Sequence, residues 1–126
     1  MMQPSEIVAA KILPVIRAQL AQILLKEYKM KQVEVAKRMG ITQAAVSHYN
    51  TRNRAADREI LDLFPEISIG VKEIAAKIER GLSMPEQVAA ISSLCSEITR
   101  TERFCEFHQR FSSLDRACQV CFSNEA

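Results

Sequence analysis

Glycine is scarce in this sequence, three in 126 residues, and tryptophan is missing altogether. Strand-like alternation of apolar and polar residues is also scarce, whereas apolar residues three and four positions apart are common, so the chain reads as all-helical. No apolar run approaches the length of a membrane span. The start, Met1 to Glu6, lacks the basic flank and long apolar stretch of a secretory leader, which makes a cytoplasmic protein the expectation. Internal repeats and low-complexity segments are absent. So are a glycine-rich phosphate loop, a Cys-x-x-Cys within a strand–helix unit and a convincing acid–base pair, which argues against an enzyme. Cysteine is absent from the first 94 residues and then occurs four times.

What is present has the composition of an ordinary globular chain, 48% hydrophobic and 25% charged. Its length suits one domain or two very small ones. A short helix is expected over Ser5–Leu13. Pro14 then suits the first turn of a longer helix to about Lys29, where its missing N–H is not needed. Ile16, Leu20, Ile23, Leu24 and Tyr28 form its core stripe. Lys31–Met39 reads as a helix with Val33, Ala36 and Met39 inward. Gly40 follows as a C-cap, and Thr42 caps a helix through Gln43–Thr51. A polar, basic stretch over Asn50–Arg58 reads as loop, with a short helix over Glu59–Leu63. Val71, Ile74, Ala75, Ile78 and Leu82 mark an amphipathic helix ending at Gly81. Ser83-Met84-Pro85-Glu86 is a capping box that opens a helix to about Arg100, with Val88, Ile91, Leu94, Cys95 and Ile98 along one side. Thr101–Ala126 reads as short and irregular.

Charge is distributed unevenly. Residues 26–58 hold eight Lys/Arg against three acids, a balance of +5, whereas residues 59–126 hold seven against eleven, −4. A basic segment beside an acidic one suggests a polyanion-binding part joined to a part with another task. Inside the basic segment, two short helices meet at a glycine-containing turn. Ala36 is small where the helices approach, and Ile41 and Val46 are apolar where they can fill the angle between them. That geometry would leave the first turn of the second helix free to enter a major groove.

The run Gln32, Ala36, Gly40, Ile41, Thr42, Gln43, Val46, Ser47 and Tyr49 resembles the motif of the Cro/repressor-type (xenobiotic-response-element type) helix-turn-helix family. The resemblance covers about 25 residues directly, and residues 14–80 if the five-helix arrangement is kept. It implies a five-helix helix-turn-helix domain, placed at 1–66 of this all-α chain; residues 67–126 are expected to form a helical dimerisation and sensor region with a small metal-binding tail, the cysteine cluster at 95–121. It also implies roles. Gln32 would contact a phosphate. Thr42 would cap the recognition helix, and Gln43, at its start, would read adenine bidentately. Ala44 would touch a thymine methyl, Ser47 or His48 a base or phosphate, and Arg52 and Arg54 the backbone beyond. The chain departs from the family at Lys31, where Ser or Thr is usual, and over Asn50–Arg54, which lacks the usual acid and glycine.

The cysteines Cys95, Cys105, Cys118 and Cys121 lie in the last 32 residues. With His108 they give Cys105-x2-His108-x9-Cys118-x2-Cys121, two short ligand pairs separated by a loop. Two metals compete. An iron–sulfur cluster would use all four cysteines, and zinc would use Cys105, His108, Cys118 and Cys121. Cys95 on an inner helix face also reads as a buried hydrophobe. The whole chain looks like a group of archaeal regulators with this helix-turn-helix and a cysteine tail. The expectation is a homodimeric, DNA-binding transcriptional regulator whose tail senses redox state, oxygen or iron through an iron–sulfur cluster. The alternatives are a structural zinc in the same regulator and, remotely, a thiol redox protein.

Overall fold

The computed structural model describes residues 2–52 and 54–111, with only the backbone at Arg54. Every regular element among them is helical.

Helix α1 runs Pro4–Lys26. Pro4 sits in its first turn, and the Gln3 N–H donates to Glu6 Oε1 at 3.0 Å. Two helices are expected here from sequence, but one is found. Between its α-helical parts, Pro4–Ile7 and Leu13–Lys26, lies a π segment, Val8–Ile12. There the Leu13 N–H reaches back five residues to Val8 O. Pro14 supplies no N–H and its ring crowds the preceding turn, and the wider π turn lets the helix continue past it. The fused helix therefore has the length and mean hydropathy (1.6) of a membrane span, contrary to the expectation of none. Its apolar side faces protein, though: Ile7, Ile12, Ile16, Leu20 and Leu24 are fully buried. The helix ends earlier than expected, with Lys29 in the left-handed region at φ +58° and Tyr28 turned outward.

Helices α2 (Gln32–Met39) and α3 (Gln43–Asn50) follow. In α2 the inward residues are Val35, Ala36 and Met39, while Val33 is 63% exposed. Ala36 and Met39 are inward as expected; Val33 is not, and Val35, about 200° around the helix from it, is buried instead. Helix α4 covers Arg54–Leu63, five residues more than expected. Its first turn is built from the basic run that reads as loop in the sequence. Helix α5 is Glu66–Glu79 and α6 is Met84–Thr99. The Ser83–Glu86 capping box forms as expected: Glu86 N–H donates to Ser83 Oγ and Ser83 N–H to Glu86 Oε1.

The largest difference lies at the end. Residues 102–109 form a helix, α7 (Glu102–Gln109), where irregular chain is expected. Thr101 caps it, accepting from Phe104 N–H at 3.2 Å. Phe104 and Phe107 drop from α7 onto Phe64, with ring centroids 6.3 and 5.7 Å apart. Burying each such ring contributes about 1.5–3 kcal/mol. That anchor explains how so short a helix is held in place.

Helix α1 is the central element and packs against α3 and α5. One buried cluster runs from Ile7 through Val46, Phe64, Val71 and Ile98 to Phe107, and so joins both sides of residue 66.

Candidate nucleic-acid interface

The α2–α3 connection is closed by backbone chemistry. Gly40 adopts φ +66°, and the N–H groups of Gly40 and Ile41 bond back to Lys37 O and Ala36 O. Glycine suits the left-handed backbone; a Cβ here would stand 2.6 Å from Cε at the flexible end of exposed Met84, which can move aside. Thr42 Oγ1 accepts the Ala45 N–H at 3.0 Å and starts α3.

Three side chains that sequence reasoning passed over hold this unit in place. Gln22 of α1 is buried and donates to Tyr49 O at 3.0 Å, satisfying an end carbonyl of α3. Arg38 of α2 donates to Ile78 O and Glu79 O, both at 2.9 Å, at the C-terminal end of α5, where a cation is favoured. Gln87 of α6 is buried and donates to Arg38 O at 2.7 Å and Leu82 O at 3.2 Å.

With Val46 fully buried and Ala45, Tyr49 and Asn50 half-buried, α3 exposes Gln43, Ala44, Ser47 and His48. Their positions, i, i+1, i+4 and i+5, share one helical face. Among the described residues Gln43 makes no side-chain hydrogen bond, and His48 meets only the Tyr49 ring, 6.0 Å away. Thr42 is committed to its cap. Gln32 begins α2 and is half-buried. Arg52 is not an unpaired clamp: its Nε donates to both carboxylate oxygens of buried Asp57, at 2.9 and 2.8 Å, because the first turn of α4 folds back onto it. Arg54 contributes its backbone to α4, and its side chain lies outside the described residues.

The charges sort accordingly. Of the three acids in 26–58, Glu34 pairs with Arg38 and Asp57 with Arg52. Lys26, Lys29, Lys31 and Lys37 are exposed and form no ion pair among the described residues. The positive potential of the segment therefore comes mainly from lysines.

Of the expected metal ligands, Cys95, Cys105 and His108 fall among the described residues. Cys95 is half-buried against the core, and burial pushes its thiol up, more than Arg17 draws it down. Cys105 and His108 lie one turn apart on α7, both buried. His108 Nε2 is 2.6 Å from Met2 O, and its ring stacks on Phe104 at 6.3 Å and 12°. Cys118 and Cys121 lie outside the described residues. Among the described residues, no three His, Cys, Asp or Glu side chains gather as a metal-binding group. Cys95, Cys105 and His108 do not make a site by themselves.

No family model, no curated protein and no solved structure matches this chain. What stands is the class: among the described residues, an all-helical protein with one buried core.

Proposed function

We propose that this chain is a sequence-specific DNA-binding regulator, not an enzyme, and that α2 and α3 form a helix-turn-helix with α3 as the recognition helix. The observation that carries this reading is the outer face of α3. The residues a major groove would meet, Gln43, Ala44, Ser47 and His48, are the ones left exposed, while the residues between them hold the helix down. Gln43 at the first position can offer both donor and acceptor to an adenine edge. The lysines of 26–37 supply phosphate contacts, which position the protein without reading sequence. Gln32 would add another, and Arg54 another beyond the helix. Arg52 contributes less than a free arginine, because Asp57 already neutralises much of its charge.

A module of this size reads a few base pairs, so the functional species is a homodimer on two half-sites about 10 base pairs apart, centre to centre. The test is selection from a random duplex library with the purified chain at fixed salt. The expected result is an enriched inverted repeat. A pool that stays random, with binding that only tracks salt, would end the proposal.

The second element of the proposal is a cysteine-bound metal that reports redox state, oxygen or iron to the DNA-binding part. An iron–sulfur cluster would take Cys95, Cys105, Cys118 and Cys121, and the alternative, zinc, would take Cys105, His108, Cys118 and Cys121. In its favour, Cys105 and His108 are placed a turn apart and His108 is oriented by a backbone carbonyl, as ligating histidines commonly are. Iron and sulfide in anaerobically prepared protein would support the cluster. One zinc per chain would replace it with the structural alternative, and no metal at all would remove both.

A further inference from the structure

The second half of α1 encloses Ala18, Leu20, Ala21 and Leu24 completely, and one polar side chain is buried among them, Gln22, 7% exposed. An apolar side chain here would be buried without any polar group to satisfy, whereas an amide taken out of water costs free energy unless it is bonded. Gln22 Nε2 has its partner 27 positions away, Tyr49 O, at 3.0 Å. The bond runs from the central helix to the last turn of α3.

Little else fixes the tilt of α3. The helix has eight residues, and Val46 is its one fully buried side chain, with Ala45 and Tyr49 half-buried. Its start is set by the Gly40 turn and the Thr42 cap. At its end, Thr51 Oγ1 donates to Ser47 O and His48 O, and Arg52 N–H to Tyr49 O at 3.4 Å. Those bonds are local and travel with the helix if it rocks. The Gln22 bond ties the same end to a different helix. Gln43 and Tyr49 stand three residues to either side of Val46, about 4.5 Å each along the axis. A tilt about Val46 that lifts the Tyr49 end therefore shifts the Gln43 end by a similar distance in the opposite sense. Bidentate hydrogen bonds to a base edge weaken steeply with such misalignment.

We infer that Gln22 is a positioning residue for base reading: through Tyr49 O it sets the tilt of α3 and so the aim of Gln43. The role rests on the DNA-binding reading above. It acts on sequence discrimination and not on affinity for DNA in general, because the exposed lysines that would meet phosphates lie outside α3.

The test uses the full chain and Gln22→Met, which keeps an unbranched side chain of similar length and removes the donor. Ile98→Val, a mild core change at the joint of α6 and α7, controls for lost stability. Without DNA, amide hydrogen exchange at Asn50 and Thr51 should quicken about fivefold in Gln22→Met, the effect of one hydrogen bond, and stay as in the wild type in Ile98→Val. With DNA, the ratio of affinities for the selected duplex and its scramble should fall about fivefold or more in Gln22→Met, with affinity for the scramble unchanged. Ile98→Val should keep the wild-type ratio. Unchanged exchange at the end of α3, a wild-type ratio in Gln22→Met, or an equal loss in Ile98→Val would each overturn the role while leaving the DNA-binding reading in place. A wild type that prefers no duplex would end that reading and the role of Gln22 with it.

Discussion

Lys29 and Gly40 hold the same left-handed backbone, φ +58° and +66°, just past α1 and α2. At Gly40 the sequence already says so, because glycine is the residue that tolerates it. At Lys29 nothing in the sequence does; the conformation follows from Met30 N–H reaching back to Leu24 O to close the helix end. The two sites should respond oppositely. Lys29→Gly removes a Cβ penalty of about 1–2 kcal/mol while adding glycine's flexibility cost of about 0.5–1, so a net gain of roughly 0.5–1 kcal/mol is expected. Gly40→Ala should lose about 1–2 kcal/mol from the backbone. Urea melts read both, and shifts of the same sign would contradict this account. The outer residues of α3 were legible at this scale, since their motif positions fix which side is in and which is out. The partners Gln22, Arg38 and Gln87 were not, because a polar residue bonded across 27 to 49 positions leaves no local pattern.

Elements with a local start signal read well from sequence. Thr42 and the Ser83–Glu86 box both predict helix starts that the structure contains. Glu86 makes the second of these pH-sensitive. Its bonds from the Ser83 hydroxyl and N–H hold its carboxyl below the ordinary value of 4.5. A depressed carboxyl stabilises fully above its unfolded value, and that contribution fades as pH falls through the lower folded value. Glu86→Gln should therefore melt below the wild type at pH 7, and the gap should narrow as the pH drops below about 4.5. A gap independent of pH would contradict the box as the cause. Elements whose stability is tertiary were missed. Helix α7 has a cap at Thr101 but is only eight residues long, marginal without the Phe104 and Phe107 anchors. Helix α4 reads as starting only at Glu59 because its first turn is rich in charge, and the Arg52–Asp57 pair that fixes it is visible only in the fold. The π turn in α1 likewise reads as a break in the sequence, since Pro14 suits a helix start as well as a kink.

At the scale of the whole molecule, one buried core among the described residues ties the α2–α3 unit to the later helices. Arg38 and Gln87 bolt α2 to the joint between α5 and α6, while Gln22 holds α3 to α1. The helix class was legible because periodicity is a property of every segment. The union of the two expected parts was not, because it depends on α1 running unbroken beneath both. A rigidly mounted α3 with an unencumbered outer face is what sequence reading by direct contact requires. The most direct test compares the wild type with Gln43→Ala on two duplexes at one salt concentration, by fluorescence anisotropy. One duplex is the selected sequence and the other its scramble. Gln43 is exposed and bonds nothing within the described chain, so the fold should survive. The account predicts that the variant loses about 1–3 kcal/mol, some 5- to 150-fold, on the selected duplex and nothing on the scramble. Equal affinities of the two proteins on both duplexes would contradict it.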